Sequence, residues 1–252
     1  GVNAGNSPTH ARPIPVWANN GLFDDPNGSN GEDNNRTRWY ERLYATIGFS
    51  GTPLHGALNE AGQYFSGSHE RGAYGPESGN DQLSCRQNFT ILTTDGYWNN
   101  RDVSPGNQDG QAGQKIDGIN GASYTYTPTA PFTDSHTNTL ADVAMRYWKS
   151  DLRTNLTNNV PTTGANPAFW QHMVTFGISL GVVGTTGYSS VAEVPADFTG
   201  WPDPMNTEDA DRIDDLLHAA VNSRGDFVSA ANPQAFANGL SSALAAITER
   251  TG

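Results

Sequence analysis

The stretch Asn88-Phe89-Thr90-Ile91-Leu92-Thr93-Thr94-Asp95-Gly96 (NFTILTTDG, residues 88–96) predicts the class of fold. Its apolar run is rich in β-branched and aromatic residues, which is typical of a buried strand. The Asp-Gly pair that follows favours a sharp turn. Two further runs, WQHMVTFGISLGVV (170–183) and GDFVSA (225–230), predict strands for the same reasons.

Helical patterns alternate with these strands. Apolar residues recur at helical spacing in five segments: 36–47, 52–65, 138–153, 209–223 and 232–250. In the second of them, Thr52 is predicted to cap the helix, with Pro53 at its first position. Strands that alternate with amphipathic helices predict an α/β fold with a doubly wound, mainly parallel sheet.

Long polar segments separate these elements. Residues 1–37 are rich in Gly, Pro, Asn and Asp and predict a loop-rich segment, and residues 38–252 are expected to form the domain. Residues 97–137 are too long for an ordinary connection and predict an insertion, a lid or a binding loop. Within them, GNQDGQAGQKIDG (106–118) hints at a calcium loop but lacks the distal glutamate of an EF-hand, which favours a flexible polar loop.

The composition excludes several classes of function. The 252 residues carry a formal net charge of −12, which would repel a nucleic-acid backbone. No apolar run is long enough to span a bilayer. The chain opens GVNAGNSPTH, without a signal peptide, and is interpreted as a fragment or a processed piece.

Cys85 is the one cysteine of the chain. A single thiol cannot form an internal disulfide. Two interpretations stay open, namely pairing with a cysteine outside this segment or burial as a small residue at the start of a strand.

Two polar side chains are predicted at the edge where ligands bind in such sheets, beyond the carboxyl ends of the strands. Asp95 follows the strand of residues 88–94, and Thr52 opens a neighbouring helix. A carboxylate and a hydroxyl are hard oxygen donors that suit Mg²⁺ or Ca²⁺, with water completing the shell. The alternative is that Asp95 marks only a turn and Thr52 only a helix cap.

No motif of an enzyme is present. Gly-x-Ser-x-Gly, His-Glu-x-x-His and the phosphate-binding Gly-x-x-x-x-Gly-Lys-Ser/Thr are all absent. The six histidines show no ligand spacing, and His172 and His218 are predicted to be hydrogen-bonded structural residues. We therefore expect a protein that is not an enzyme, and an acid/base pair of Asp95 with His172 or His218 is the weakest alternative.

Several segments together resemble the von Willebrand factor A-type (vWA) region of the PilY/PilC family, the tip-associated adhesins and assembly proteins of type IV pili. They are SGTPLHGALNEAGQYF (50–65), SCRQNFTILTTDGYWN (84–99), TLADVAMRYWKSDLR (139–153), WQHMVTFGISLGV (170–182) and IDDLLHAAVNSRGDFVSAANPQAFANGLSSAL (213–244). The resemblance implies a Rossmann-like vWA fold with a metal-ion-dependent adhesion site, in which Thr52 and Asp95 are the ligands that this chain supplies.

One departure from the family pattern concerns the first strand. Asp-x-Ser-x-Ser, which begins the family's metal site, is absent from this chain. The resemblance then implies that the first strand precedes residue 1. The alternative is a degenerate site that binds no metal.

The resemblance also implies a function. It predicts an exported module at the bacterial cell surface or pilus tip that acts in pilus biogenesis and surface attachment. Minor pilins and host or abiotic surfaces are the expected partners. A metal-free scaffold that docks minor pilins is the alternative, and a cell-surface hydrolase is less favoured.

Overall fold

The computed structural model describes residues 51–67, 73–75, 82–99, 102–206 and 208–251, together with Tyr40 and Tyr44. Those two tyrosines are helical. The rest of the helix predicted at 36–47, and the loop-rich segment 1–37, lie outside the described residues.

Besides two short 3-10 helices and the two helical tyrosines, four α-helices and five strands have described bounds. In chain order they are α1 (Leu54–Ser66), β1 (Asn88–Thr94), β2 (Ile116–Asp117), β3 (Ser123–Tyr124), α2 (Leu140–Lys149), β4 (Met173–Leu180), α3 (Asp211–Asn222), β5 (Phe227–Ala230) and α4 (Pro233–Thr251). The alternation predicted from the sequence is confirmed.

The main sheet has the order β1-β4-β5, and its strands are parallel. Asn88 pairs with Met173 at one end of the β1–β4 ladder, and Thr94 pairs with Ser179 at the other. The central strand β4 is buried over all but its last residue, because it is covered by a strand on each side and by helices on each face. Within the described residues β1 pairs with β4 alone, which leaves its side chains less buried.

Helices pack on both faces of the sheet, as expected for an α/β fold. Helices α1, α2 and α3 cover one face, where Leu58, Leu140 and Leu216 lie in the main core. Helix α4 covers the other face, where Ala243 packs with Val174 and Phe176. The predicted mainly parallel, Rossmann-like α/β fold is confirmed.

The segment between β1 and α2 contains the antiparallel pair β2–β3 and packs against the domain through aromatic residues. Tyr126 joins Trp148 and Trp170 in a second core cluster. The Arg224 guanidinium lies between two rings, 3.5 Å from the ring centre of Phe132 and 3.7 Å from that of Trp148. Such stacking of a buried cation on aromatic faces ties the segment to α2 and α3.

One local prediction was wrong, and one open interpretation is excluded. Pro53, not Thr52, occupies the N-cap of α1, because the Pro53 backbone (ψ 65°) is not helical and the helix begins one residue later. Cys85 is exposed, which excludes its interpretation as a buried residue at the start of β1. Among the described residues, no helix has the length and apolarity needed to cross a membrane.

Candidate functional site

The carboxyl edge of the sheet presents Asp95 at a tight turn. β1 ends at Thr94, whose hydroxyl donates a hydrogen bond to the Gly96 carbonyl (2.7 Å) and accepts one from the Gly96 N–H (3.2 Å). Asp95 lies between these two residues and is exposed. Its carboxylate is therefore available to solvent and to a ligand.

Thr52 is joined to the same loop. Its backbone N–H donates to Asn99 Oδ1 (2.7 Å), and the Asn99 N–H donates to the Thr52 carbonyl (3.3 Å). The Asp102 carboxylate packs against the first turn of α1, since a Cβ added to Gly56 would lie 2.5 Å from Asp102 Oδ2. The start of α1 and the loop after β1 thus form one polar edge with hydroxyl and carboxylate groups.

The structure does not pair Asp95 with either of the two histidines considered, His172 and His218. His172 immediately precedes β4, at the opposite edge of the parallel sheet, and is buried with its ring bonded to Asn166 and Trp170. The charged neighbours of His218 are Asp109 and Asp134. The acid/base pair imagined for a hydrolase is therefore not formed, while the prediction that both histidines are hydrogen-bonded is confirmed.

A second polar group lies inside the domain. Asp109 and Asp134, both from the β1–α2 segment, converge on His218 of α3, and their ligand-type atoms all lie within 4.8 Å of one another. His218 Nε2 donates to the Phe132 carbonyl (2.9 Å), while Nδ1 lies 3.4 Å from Asp134 Oδ2. Asp109 Oδ2 lies 3.8 Å from His218 Nε2. We call these three residues the Asp–His cluster.

The surroundings hold the Asp–His cluster in place. Asp109 Oδ1 accepts the Asp134 N–H (3.1 Å), and Asp109 Oδ2 accepts Asn222 Nδ2 (2.9 Å). The Trp201 ring stacks on His218 with centroids 4.0 Å apart and planes only 8° from parallel. A stacked aromatic face favours a positive charge at this imidazole.

Burial and charge act in opposite directions on these groups. Burial raises the pKa of Asp109 to about 6, although the His218 charge lowers it. For Asp134, burial raises the pKa, but the hydrogen bond and charge of His218 outweigh it and the pKa is lowered. Burial lowers the pKa of His218, but Asp134 and Asp109 outweigh it and the pKa is raised. The raised pKa of His218 and the lowered pKa of Asp134 favour an imidazolium beside a carboxylate.

Further buried acids organise the start of α2. The side chain of Thr139 accepts the Asp142 N–H, and Asp142 Oδ2 accepts the Thr139 N–H (3.0 Å), which completes a capping box. Asp215 of α3 accepts the next two N–H groups, from Leu140 (2.9 Å) and Ala141 (3.0 Å). Helix α3 thus supplies hydrogen bonds to the first turn of α2.

The Asp–His cluster could not be located from the sequence. Its members are 25 and 84 residues apart along the chain, so no motif joins them. Asp109 also lies in the stretch 106–118, for which polar composition favoured a flexible loop, yet its side chain is completely buried. A hint was present in that stretch, whose acidic and glycine content resembled a calcium loop.

The fold and the edge together define a class: a Rossmann-like α/β domain with oxygen-bearing side chains beyond the carboxyl ends of its strands. Such edges are where α/β sheets bind their ligands.

The chain is homologous to the type IV pilus biogenesis factor PilY1 of Pseudomonas aeruginosa. It is 37% identical to the protein of strain UCBPP-PA14 over 227 residues, which are 79% of this chain and 19% of that protein. With the protein of strain PAK it shares 34% identity over 223 residues, 77% of this chain and 18% of the relative. The chain therefore spans about a fifth of the length of the curated relatives it matches. No family model and no solved structure matches the chain.

Proposed function

We propose that this chain is an interaction module of a protein that acts in type IV pilus biogenesis and surface attachment. The observation that carries the proposal is its similarity to PilY1 over more than three quarters of its residues. The polar edge at Thr52 and Asp95 supplies a surface for binding, and no enzyme motif competes with this interpretation.

The proposed mechanism is coordination of a divalent cation. The Thr52 hydroxyl and the Asp95 carboxylate are hard donors that suit Mg²⁺ or Ca²⁺. The chemistry of this edge fits such an ion, because Asp95 is exposed and the hydrogen bonds between Thr52 and Asn99 join the two loops that carry the donors. An exposed cation keeps coordination positions for water or for a carboxylate of a partner.

The partners that follow from this proposal are minor pilins and host or abiotic surfaces. The module would then act outside the cytoplasm, at the cell surface or pilus tip. The vWA assignment belongs to the same proposal, since it rests on the resemblance of the five segments and on the position of Asp95 after β1.

The test measures binding of the chain to immobilised minor pilins of its own bacterium, with Mg²⁺, with Ca²⁺ and with EDTA. We expect binding that needs the divalent ion and that weakens in Asp95→Asn and Thr52→Ala. The matched control is Asp197→Asn, which alters another exposed acid on a different loop. Binding that is equal with and without EDTA, and equal in Asp95→Asn, would contradict the cation mechanism.

A metal-free scaffold that docks minor pilins is the second candidate, favoured by the absence from this sequence of Asp-x-Ser-x-Ser, the motif that begins the family's metal site. Calorimetry with Mg²⁺, Ca²⁺ and Mn²⁺ separates the two. A silent titration at this edge together with retained pilin binding would favour the scaffold.

A further inference from the structure

We propose that the Asp–His cluster is a buried binding site for a divalent transition-metal ion, with Zn²⁺ as the expected occupant. The site is separate from the strand edge of Thr52 and Asp95, and it does not depend on the proposed function. Its ligands are Asp109, Asp134 and His218, whose donor atoms lie within 4.8 Å of one another.

The donor set selects the class of ion. One imidazole nitrogen with two carboxylates suits zinc and neighbouring transition metals, whereas Mg²⁺ and Ca²⁺ prefer oxygen donors alone. Burial favours a site with few waters, since His218 and Asp109 are 2% and 0% exposed.

The spacing is compatible with coordination as well as with an ion pair. His218 Nδ1 lies 3.4 Å from Asp134 Oδ2, which exceeds the usual length of an N–H···O bond. Two ligands bound at 2.0–2.2 Å around a tetrahedral ion lie about 3.3–3.6 Å apart. An ion between these atoms therefore requires little movement of either side chain.

The orientation of His218 is that of a metal ligand. Its Nε2–H donates to the Phe132 carbonyl at 2.9 Å, so the neutral ring carries its lone pair on Nδ1, the atom that faces Asp134. Asp109 Oδ2 lies 3.8 Å from Nε2, so its carboxylate must turn towards the Nδ1 side of the ring to join the ion. Metal-bound histidines commonly donate their other ring N–H to a backbone carbonyl in this way.

Asn222 supplies an independent sign that a ligand belongs here. Its side chain is completely buried, and its amide faces the cluster through Nδ2, 2.9 Å from Asp109 Oδ2. Its Oδ1 accepts no hydrogen bond within the described part of the chain. A half-turn of the amide would give up the Nδ2 hydrogen bonds to Asp109 and to the Ala141 carbonyl (3.3 Å) and would place the oxygen beside the Asp109 carboxylate, an arrangement that needs a cation between the two oxygens.

Metal binding must displace a proton from His218 whenever the ring is an imidazolium. The ion and the proton therefore compete for the same nitrogen, and binding strengthens as pH rises. The bound ion would join the β1–α2 segment to α3 by coordinate bonds.

The experiment begins with the EDTA-treated chain, titrated with Zn²⁺, Co²⁺ and Mg²⁺ by calorimetry, with the bound metal counted by mass spectrometry. We expect one Zn²⁺ per chain, no Mg²⁺ at this site, and a Co²⁺ visible spectrum of low coordination number with nitrogen and oxygen ligands. The spectrum needs no variant, so it stays informative if a substitution prevents folding.

Variants locate the site. We expect Asp109→Asn and His218→Gln to weaken Zn²⁺ binding by at least about 10-fold. Substitution of a residue that only hydrogen-bonds to a metal ligand already weakens binding about 10-fold or more, and these two changes alter the ligands themselves. The control Asp95→Asn, at the strand edge, should leave Zn²⁺ binding unchanged.

Two results would overturn the proposal. One is Zn²⁺ binding that is equal in the cluster variants and the wild type. The other is an absence of Zn²⁺ binding by the EDTA-treated wild-type chain, and NMR that shows both His218 nitrogens protonated at neutral pH would then identify the cluster as an ion-paired histidine. Failure of pilin binding bears on the strand edge alone.

Discussion

Asp215→Ala is predicted to destabilise the domain strongly, because one carboxylate serves two backbone donors. Its oxygens accept the N–H groups of Leu140 and Ala141 at 2.9 and 3.0 Å, and all three residues are buried. Alanine would leave both donors without partners. A buried unsatisfied donor costs about 1–3 kcal/mol, so the loss in free energy of unfolding should be about 2–6 kcal/mol.

Urea denaturation followed by circular dichroism at pH 8 measures this loss. Asp215→Asn should give a smaller loss, because its amide oxygen retains one acceptor. Asp209→Ala is the control. Asp209 lies just before α3, is exposed and forms an ion pair with Arg212. Such a surface pair contributes less than about 1 kcal/mol to the free energy of unfolding. A loss for Asp215→Ala no larger than that of the control would mean that the two N–H groups do not depend on this carboxylate.

The same carboxylate should make stability depend on pH. Burial raises the pKa of Asp215 to about 7, although the two N–H groups lower it. A folded-state pKa above the ordinary value means that the folded domain holds a proton that the unfolded chain releases. The stability that comes from this shift is therefore full below about pH 4 and is lost as pH rises through 7, whereas the two N–H hydrogen bonds to the carboxylate remain at pH 8. Asp215→Asn should flatten this slope, and unfolding midpoints measured from pH 5 to pH 8 check it.

Three other predictions concern stability. Gly225→Ala should lower the free energy of unfolding by about 1–3 kcal/mol, because the new Cβ would lie 1.9 Å from the Thr175 carbonyl oxygen. Gly96→Ala is the control in the same urea assay and should be tolerated, since the new Cβ would have nothing within 4 Å. Burial lowers the pKa of His172 to about 4, so the folded domain holds its ring neutral. The resulting contribution to the free energy of unfolding should be full above about pH 6.5 and be lost as pH falls towards 4. NMR titration that finds His172 charged at pH 6 would contradict this. Arg224→Lys should lower the free energy of unfolding by about 2 kcal/mol, since it removes a guanidinium stacked between two rings, and an unchanged urea midpoint would argue against the stacking.

Much of the fold could be predicted because its elements carry local signals. The apolar run of β4 (Met173–Leu180) is long enough to be recognised as a strand buried on both faces. The helices α2 and α3 show apolar residues at helical spacing, and their alternation with strands restricts the sheet to a parallel arrangement. The start of α1 was misplaced by one residue, since cap geometry depends on backbone angles that composition does not specify.

The candidate edge was also accessible to sequence reasoning. A polar residue directly after a strand, such as Asp95, must lie at the carboxyl edge of a parallel sheet. Whether the hydroxyl of Thr52 and the carboxylate of Asp95 hold one ion stays a prediction.

The order of helices and strands, and the edge where polar side chains collect, can be predicted from sequence patterns because both depend on a few neighbouring residues. The meeting of Asp109 and Asp134 with His218 inside the domain is visible only in the folded chain. Those contacts join residues up to 109 positions apart, and they form because aromatic packing folds the β1–α2 segment onto α2 and α3. Burial of a polar residue depends on what covers it, and that is a property of the packed chain.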